Sequence, residues 1–569
     1  MKKLVSIFLA LAMILAMNIT AFAADDRNPS ELTTITIENP LVGDTNTRTY
    51  EAYRLLDLKV SHKEAGHDYT CPKDRDANAE CVDDCFNYNY TIPAGSPFLA
   101  ILQEEVWEHT DNSFWTALQT TRPEKSQITV EQILKYLSGL IGDTGVNYST
   151  LRKTADRIYR EIQETTIPAG YKINMVTGSN TQIAKGYWMI VETTPNLTGY
   201  DAKSVVMLNT NAMDVITVTP KTALPEVEKK VKDTDDSDNI NMDDHQWQDS
   251  ADHDIRDEIP FKLTATLPDN MGSFDAYKLV FHDTMEAGLE LVPDSIKVYL
   301  YANKVVADAD SNMDNSIHNA DPVYNIANGN NANYILNENP AENHCSFEFT
   351  IVDAKAIAGA VGGNAIVITY NARLTENAAL GKAGNANSVY LEFSNDPYSD
   401  ATGKTAEDTV KVFTYGLTIN KVDAHGHNLE GAGFTLYKYS VKDNGYVKVK
   451  DELTGGTSFV WNGLDDGDYK LVESTVPDGY NAMEPITFTI QAVHEVDSVD
   501  PQLTAINSVV MGNGGDNGMI IKEVVNHTGT VLPETGAEGT FFLIIGGTLL
   551  VILAAVFMIT RKKMSVYED

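Results

Sequence analysis

The chain has 569 residues and a formal charge of −37, from 43 basic and 80 acidic side chains. Such a surface repels nucleic acid and anionic lipid, which excludes both as partners. The length suits roughly three to four domains, and an apolar content of 43% is enough to pack their cores.

At the N-terminus, Lys2 and Lys3 precede an apolar run from Leu4 to Met17, and Ala21-Phe22-Ala23 follows. This is the layout of a signal peptide, 1–23, and predicts a secreted chain. Disulfides are permitted there. Of the four cysteines, Cys71, Cys81 and Cys85 lie in one local stretch and Cys345 is distant. With His62 and His67 upstream, the stretch offers zinc-type ligands, but its spacing matches no standard module. A local disulfide is the expectation, the pairing stays open, and no metal site is assigned.

Residues 24–221 read as a β-domain with a helical insertion. Thr33–Ile37, Tyr50–Leu58 and Tyr88–Ile92 have strand character, and Tyr187–Glu192 and Asp214–Thr219 resume it. Between them the period changes. Thr129 and Gln132 have the spacing of a capping box before Ile133, Leu134, Leu137, Leu140 and Ile141. Ser149 is placed to cap a second helix with Leu151, Ala155, Ile158, Tyr159 and Ile162 inward. The last strand stops at Pro220, which leaves Lys221 just outside it.

In residues 222–413, Lys229 shares parity with Val227 and Val231, whereas Lys230 does not. The acidic stretch 233–257 lacks the ordered Asp spacing and glycine of a calcium loop. Asp283 lies in register with Tyr277, Leu279 and Phe281, and Asn395 with Val389, Leu391 and Phe393. Buried polar groups need partners, so Lys229, Asp283 and Asn395 are expected to meet. Burial favours a neutral amine and a protonated acid. Such an amine can attack the Asn side-chain carbonyl and expel ammonia, which would join the strands by an isopeptide bond; the alternative that alternation leaves open is three ordinary strand-end residues at the rim.

Residues 414–530 repeat the pattern. Lys421 follows Leu417 and Ile419 at the two-residue period, and Glu473 follows Tyr469 and Leu471. A final strand from Ile520 ends at Asn526. In 531–569, Leu532-Pro533-Glu534-Thr535-Gly536 precedes an uncharged run from Phe541 to Thr560 and then Arg561-Lys562-Lys563. Twenty helical residues span a ~30 Å hydrocarbon core, and the basic cluster stops the span on the cytoplasmic side.

These motifs resemble those of Gram-positive backbone pilins. Leu-Pro-Glu-Thr-Gly, span and basic tail resemble a sorting signal, which implies sortase cleavage between Thr535 and Gly536. Val218-Thr219-Pro220-Lys221 resembles the pilin motif with Thr in place of the usual Tyr, and implies that Lys221 accepts the Thr535 acyl group of the next subunit. Tyr469 to Tyr480 resembles the E-box of Cna B-type domains, with Ser474 where Thr is usual. It implies Lys421 as nucleophile, Asn526 as acceptor and Glu473 as proton relay, and Asp283 has the same role between Lys229 and Asn395. Trp188 to Thr193 is a degenerate echo without a lysine on the opening strand. No further bond of this type is expected there, and Glu192 reads as an ordinary strand-end carboxylate.

The resemblance implies an all-β fold of tandem immunoglobulin-like, Cna-type sandwiches plus a C-terminal transmembrane helix. It also implies a cell wall-anchored pilus backbone that supports adhesion and is a membrane protein only as precursor. Its partners would be a pilus-class and a housekeeping sortase, other copies of itself, ancillary pilins and peptidoglycan. No cofactor is implied. The chain is a substrate with single-turnover chemistry on itself, not an enzyme. The rivals are a monomeric anchored adhesin or ancillary pilin, which would not use Lys221, and a surface hydrolase, for which no nucleophile constellation is found.

Overall fold

The computed structural model describes residues 30–39, 47–63, 85–92, 95–142, 150–195, 197, 202–211, 213–220, 224–234, 247–341 and 345–528, with positions 550, 551 and 554. The signal peptide, Lys221, the Leu532–Gly536 motif, His67, Cys71, Cys81, Ser149 and much of the acidic stretch lie outside these residues. So does the predicted span apart from three positions. No described helix is long and apolar enough to cross a membrane.

Strand β1 (Leu32–Ile37) buries Thr33, Ile35 and Ile37, as the pleat requires. It pairs antiparallel with Asn180–Ala184 and parallel with β4 (Val215–Val218). Beside it, β2 (Thr49–His62) lies between Phe86–Thr91 and β3 (Gly186–Glu192), and Val205–Asn209 flanks β3. Helices α1 (Phe98–Glu108), α2 (Val130–Ser138) and α3 (Thr150–Gln163) cover this second sheet. Leu55, Phe98, Trp115, Ile133, Ile158 and Met189 form the core between them.

Thr129 and Gln132 make both bonds of the capping box that starts α2. The helix stops at Ser138 with Gly139 as C-cap. Ile141, expected on its apolar stripe, is therefore outside the helix and exposed. Helix α1 carries an apolar face that the sequence reading left unassigned.

The middle sandwich has two sheets. One runs Trp247–Gln248, β5 (Val227–Lys232), β6 (Glu258–Thr266), β9 (Ala365–Leu374), Leu289–Tyr301, Tyr324–Asn325. The other runs Ser250–Asp252, β11 (Asp408–Phe413), β10 (Asn385–Ser394), β7 (Leu279–Met285), β8 (Phe347–Ile351), Tyr334–Asn337. Phe261, Leu263, Phe281, Phe349, Ile368 and Leu391 fill the space between them.

In the last sandwich, β12 (Tyr415–Asp423) lies between β14 (Ser458–Leu464) and β17 (Met519–Asn526). The facing sheet holds β13 (Gly433–Ser440), β15 (Gly467–Thr475) and β16 (Ile486–His494). The chain leaves β11 at Phe413 and enters β12 at Tyr415, so the two sandwiches are joined by one residue.

Candidate functional site

The middle sandwich buries a lysine amine between its sheets. Lys229 sits on β5, whose alternation turns it inward with Val231, and its side chain is fully buried. Lys230 turns the other way, to Asp249. The Lys229 Nζ donates to Asp283 Oδ2 at 2.7 Å and to Asn387 Oδ1 at 2.5 Å. Tyr370 on β9 closes the group: its hydroxyl donates to Asp283 Oδ2 at 2.8 Å and accepts from Asn387 Nδ2 at 2.9 Å.

Burial shifts both members of the pair towards their uncharged forms. Burial lowers the Lys229 amine to about 8, against the opposing pull of Asp283. Burial raises the Asp283 carboxyl despite Lys229 and Tyr370. Asp283 Oδ1 has no hydrogen-bond partner among the described residues, so a carboxylate charge there would be poorly solvated.

Asn395 is not part of this group, which corrects the sequence reading. In the β7–β10 register Asp283 faces Val389, and Met285 faces Asn387. Asn387 is one same-face step from Val389, whereas Asn395 is three such steps the other way, about 20 Å along a strand. Instead, Asn395 Nδ2 donates to Leu197 O at 3.4 Å, and its main-chain carbonyl accepts from Lys203 N at 2.9 Å. It helps to join the first domain to the middle one. Parity alone does not separate the two asparagines; Tyr370 and the sheet register were the missing information.

The last sandwich holds the second group. Lys421 on β12 is fully buried and donates to Val524 O at 3.1 Å. Strands β12 and β17 are parallel, with Lys421 opposite Val524 and Asp423 opposite Asn526. Asn526 is thus the next inward residue after Lys421's partner. Glu473 reaches in from β15: its Oε1 accepts from Asn526 Nδ2 at 2.8 Å and its Oε2 from Met483 N at 2.9 Å. Asn526 Oδ1 is buried without a hydrogen-bond partner among the described residues. Burial lowers the Lys421 amine, and the charge of Glu473 opposes the shift. The middle group thus sets an amine, an amide carbonyl and a carboxyl in hydrogen-bond contact within the core, and the last sandwich bonds its carboxyl to the amide while the buried amine bonds the main chain two residues before that amide; in such settings aminolysis of the amide is chemically accessible.

In the first domain Glu192 is the last residue of β3, and it is buried. Arg48 Nη1 donates to its Oε1 at 3.1 Å, and Ser204 Oγ donates to its Oε2 at 3.1 Å. A guanidinium stays charged and is no nucleophile. Upstream of Lys221, Thr219 Oγ1 donates to Glu38 Oε2 at 3.0 Å just beyond β4. Cys85 is disulfide-bonded, and Cys345 is a free, buried thiol.

Residues 416–502 match the model of the SpaA prealbumin-like fold domain, and residues 524–565 match the LPXTG cell wall anchor motif. No curated protein sequence matches the chain. Among solved structures, the chain is similar to the T6 backbone pilin of serotype M6 Streptococcus pyogenes, with 14% identity over 89% of this chain and 100% of that one, at a TM-score of 0.44. The full-length major pilin SpaD from Corynebacterium diphtheriae shares 14% identity over 89% and 99%, at 0.37. The major pilin subunit BcpA of Bacillus cereus shares 16% over 64% and 89%, at 0.33. The anchor motif assigns the mature chain to the cell wall and its precursor to the membrane.

Proposed function

We propose that this chain is the backbone subunit of a sortase-assembled covalent pilus. The cell wall anchor signal supports this reading most directly. A pilus-class sortase cuts between Thr535 and Gly536 and passes the Thr535 acyl group to Lys221 of another copy. A housekeeping sortase attaches the finished polymer to peptidoglycan, ancillary pilins join it, and the fibre supports adhesion. In this reading the chain is a substrate, not an enzyme.

The two buried groups serve the fibre by cross-linking it internally. The neutral Lys229 amine attacks Asn387 Cγ, a C–N bond forms, and the amide nitrogen departs as ammonia. Asp283 and Tyr370, both within hydrogen-bond reach, pass the amine proton to the leaving nitrogen. Lys421, Asn526 and Glu473 do the same in the last sandwich. Each bond forms once.

A cell-wall digest of the native host, blotted under denaturing conditions with antibody to this chain, tests the assembly. A high-mass ladder that collapses to monomer in Lys221→Ala is expected. A single wall-linked band unchanged by the substitution would overturn polymerisation through Lys221 and leave a monomeric anchored protein.

A further inference from the structure

A different set of ligating side chains is built on the outer face of the middle sandwich. His282 on β7 has the opposite parity to Asp283 and so points away from the core. Its register partner on β8 is Glu348, and Cys345 lies two residues before that strand. His282 is nonetheless only 3% exposed, and Tyr390 stacks on its ring at 4.4 Å. The His282 Nδ1 lies 3.0 Å from Glu348 Oε1 and 4.0 Å from Cys345 Sγ, and Sγ lies 3.9 Å from Glu348 Oε1.

These separations are close to those of ligands around one metal ion. With metal–sulfur near 2.3 Å and metal–nitrogen or –oxygen near 2.0–2.1 Å, tetrahedral neighbours stand about 3.3–3.6 Å apart. The three atoms meet that triangle with shifts of about half an ångström. On the far side of the imidazole, His282 Nε2 is buried without a hydrogen-bond partner among the described residues, and Glu392 Oε2 lies 3.6 Å from it. With an ion on Nδ1 the imidazole proton sits on Nε2, and a closure of about half an ångström would let the Glu392 carboxylate accept it, the usual outer-shell arrangement of zinc-bound histidines. A thiol among the ligands selects the zinc class over calcium or magnesium.

We propose that His282 Nδ1, Cys345 Sγ and the Glu348 carboxylate bind one divalent ion of the zinc class, with a fourth position left to water or another ligand. Binding displaces the thiol proton: burial and the Glu348 charge push free Cys345 up to about 11, so the ion and not the protein alone produces the thiolate. The ion ties the segment before β8 to β7 and masks the thiol from oxidation.

Cobalt(II) is the test probe, titrated into the metal-free full chain with its disulfide intact. A thiolate-to-cobalt charge-transfer band that zinc abolishes is expected, and Cys345→Ser should remove it. Glu392→Gln should keep the band and weaken binding by about tenfold or more. No band in the natural chain, or a band that survives Cys345→Ser, would overturn the site. A folding-independent readout uses the natural chain alone: zinc should slow alkylation of Cys345, mapped by mass spectrometry, and an unchanged rate would equally overturn it.

Discussion

Replacing Asn387 by alanine separates the two candidate acceptors of the middle sandwich. Lys229 and Asn387 are 158 positions apart, so the proposed bond would close a loop of nearly the whole domain. By analogy with disulfides, a loop of that length removes unfolded-state entropy worth about 5 kcal/mol. Losing the Asn387 hydrogen bonds without a cross-link would cost only about 1 kcal/mol each. For a domain of about 190 residues, 5 kcal/mol corresponds to a fall in Tm of roughly 10–20 °C. Intact-mass spectrometry and calorimetry read the two effects independently. Asn387→Ala should retain the mass of one ammonia relative to the doubly cross-linked chain and melt earlier by that margin. Asn395→Ala should lose both ammonias, like the natural chain. If Asn387→Ala still lost the ammonia assigned to Lys229, or if Asn395→Ala kept it, the assignment from sheet register would be wrong.

Two further predictions concern the chemistry and its mechanical consequence. In chain made by cell-free translation, formation of the Lys229 bond should accelerate as pH rises towards about 8, where the buried amine loses its proton; Tyr370→Phe should slow it, and a pH-independent rate would sink the neutral-amine step. The sign for stability agrees: before the bond forms, folded Lys229 holds its proton less tightly than unfolded Lys229. The uncross-linked chain therefore gains stability with pH between about 8 and the ordinary lysine value near 10.4. Under tension, Glu473→Ala should let the last sandwich extend, because the Lys421–Asn526 loop is then open; at about 3.3–3.6 Å per residue the added length is roughly 350 Å. Single-molecule traces in which the natural chain and Glu473→Ala extend alike would refute a load-bearing role for the bond.

If the two proposed bonds form, the stretch from Asn387 to Lys421 lies outside both covalent loops, and force would pass there through β10, β11 and the start of β12. That stretch is held by hydrogen bonds, including the antiparallel pairing of Asn385–Val389 with Asp408–Val412. With both proposed cross-links in place, it would be the part of the last two sandwiches that tension can draw out.

What the sequence determined by itself was local. The capping box at Thr129 and Gln132 needs only residues three apart, and the inward positions of Lys229, Asp283, Lys421 and Glu473 follow from the two-residue period of a strand. The anchor motif is likewise contiguous. Only the tertiary structure decided which equal-parity residues meet. Asn387 and Asn395 are alike in pattern, and a strand's parity is unchanged by a slide of two residues; the β7–β10 register breaks that degeneracy. The same reason hid the Arg48–Glu192 pair, whose members are 144 positions apart, and the convergence of His282 on β7 with Cys345 and Glu348 at β8. Periodicity states which face a side chain takes, and pairing between distant strands states what it finds there.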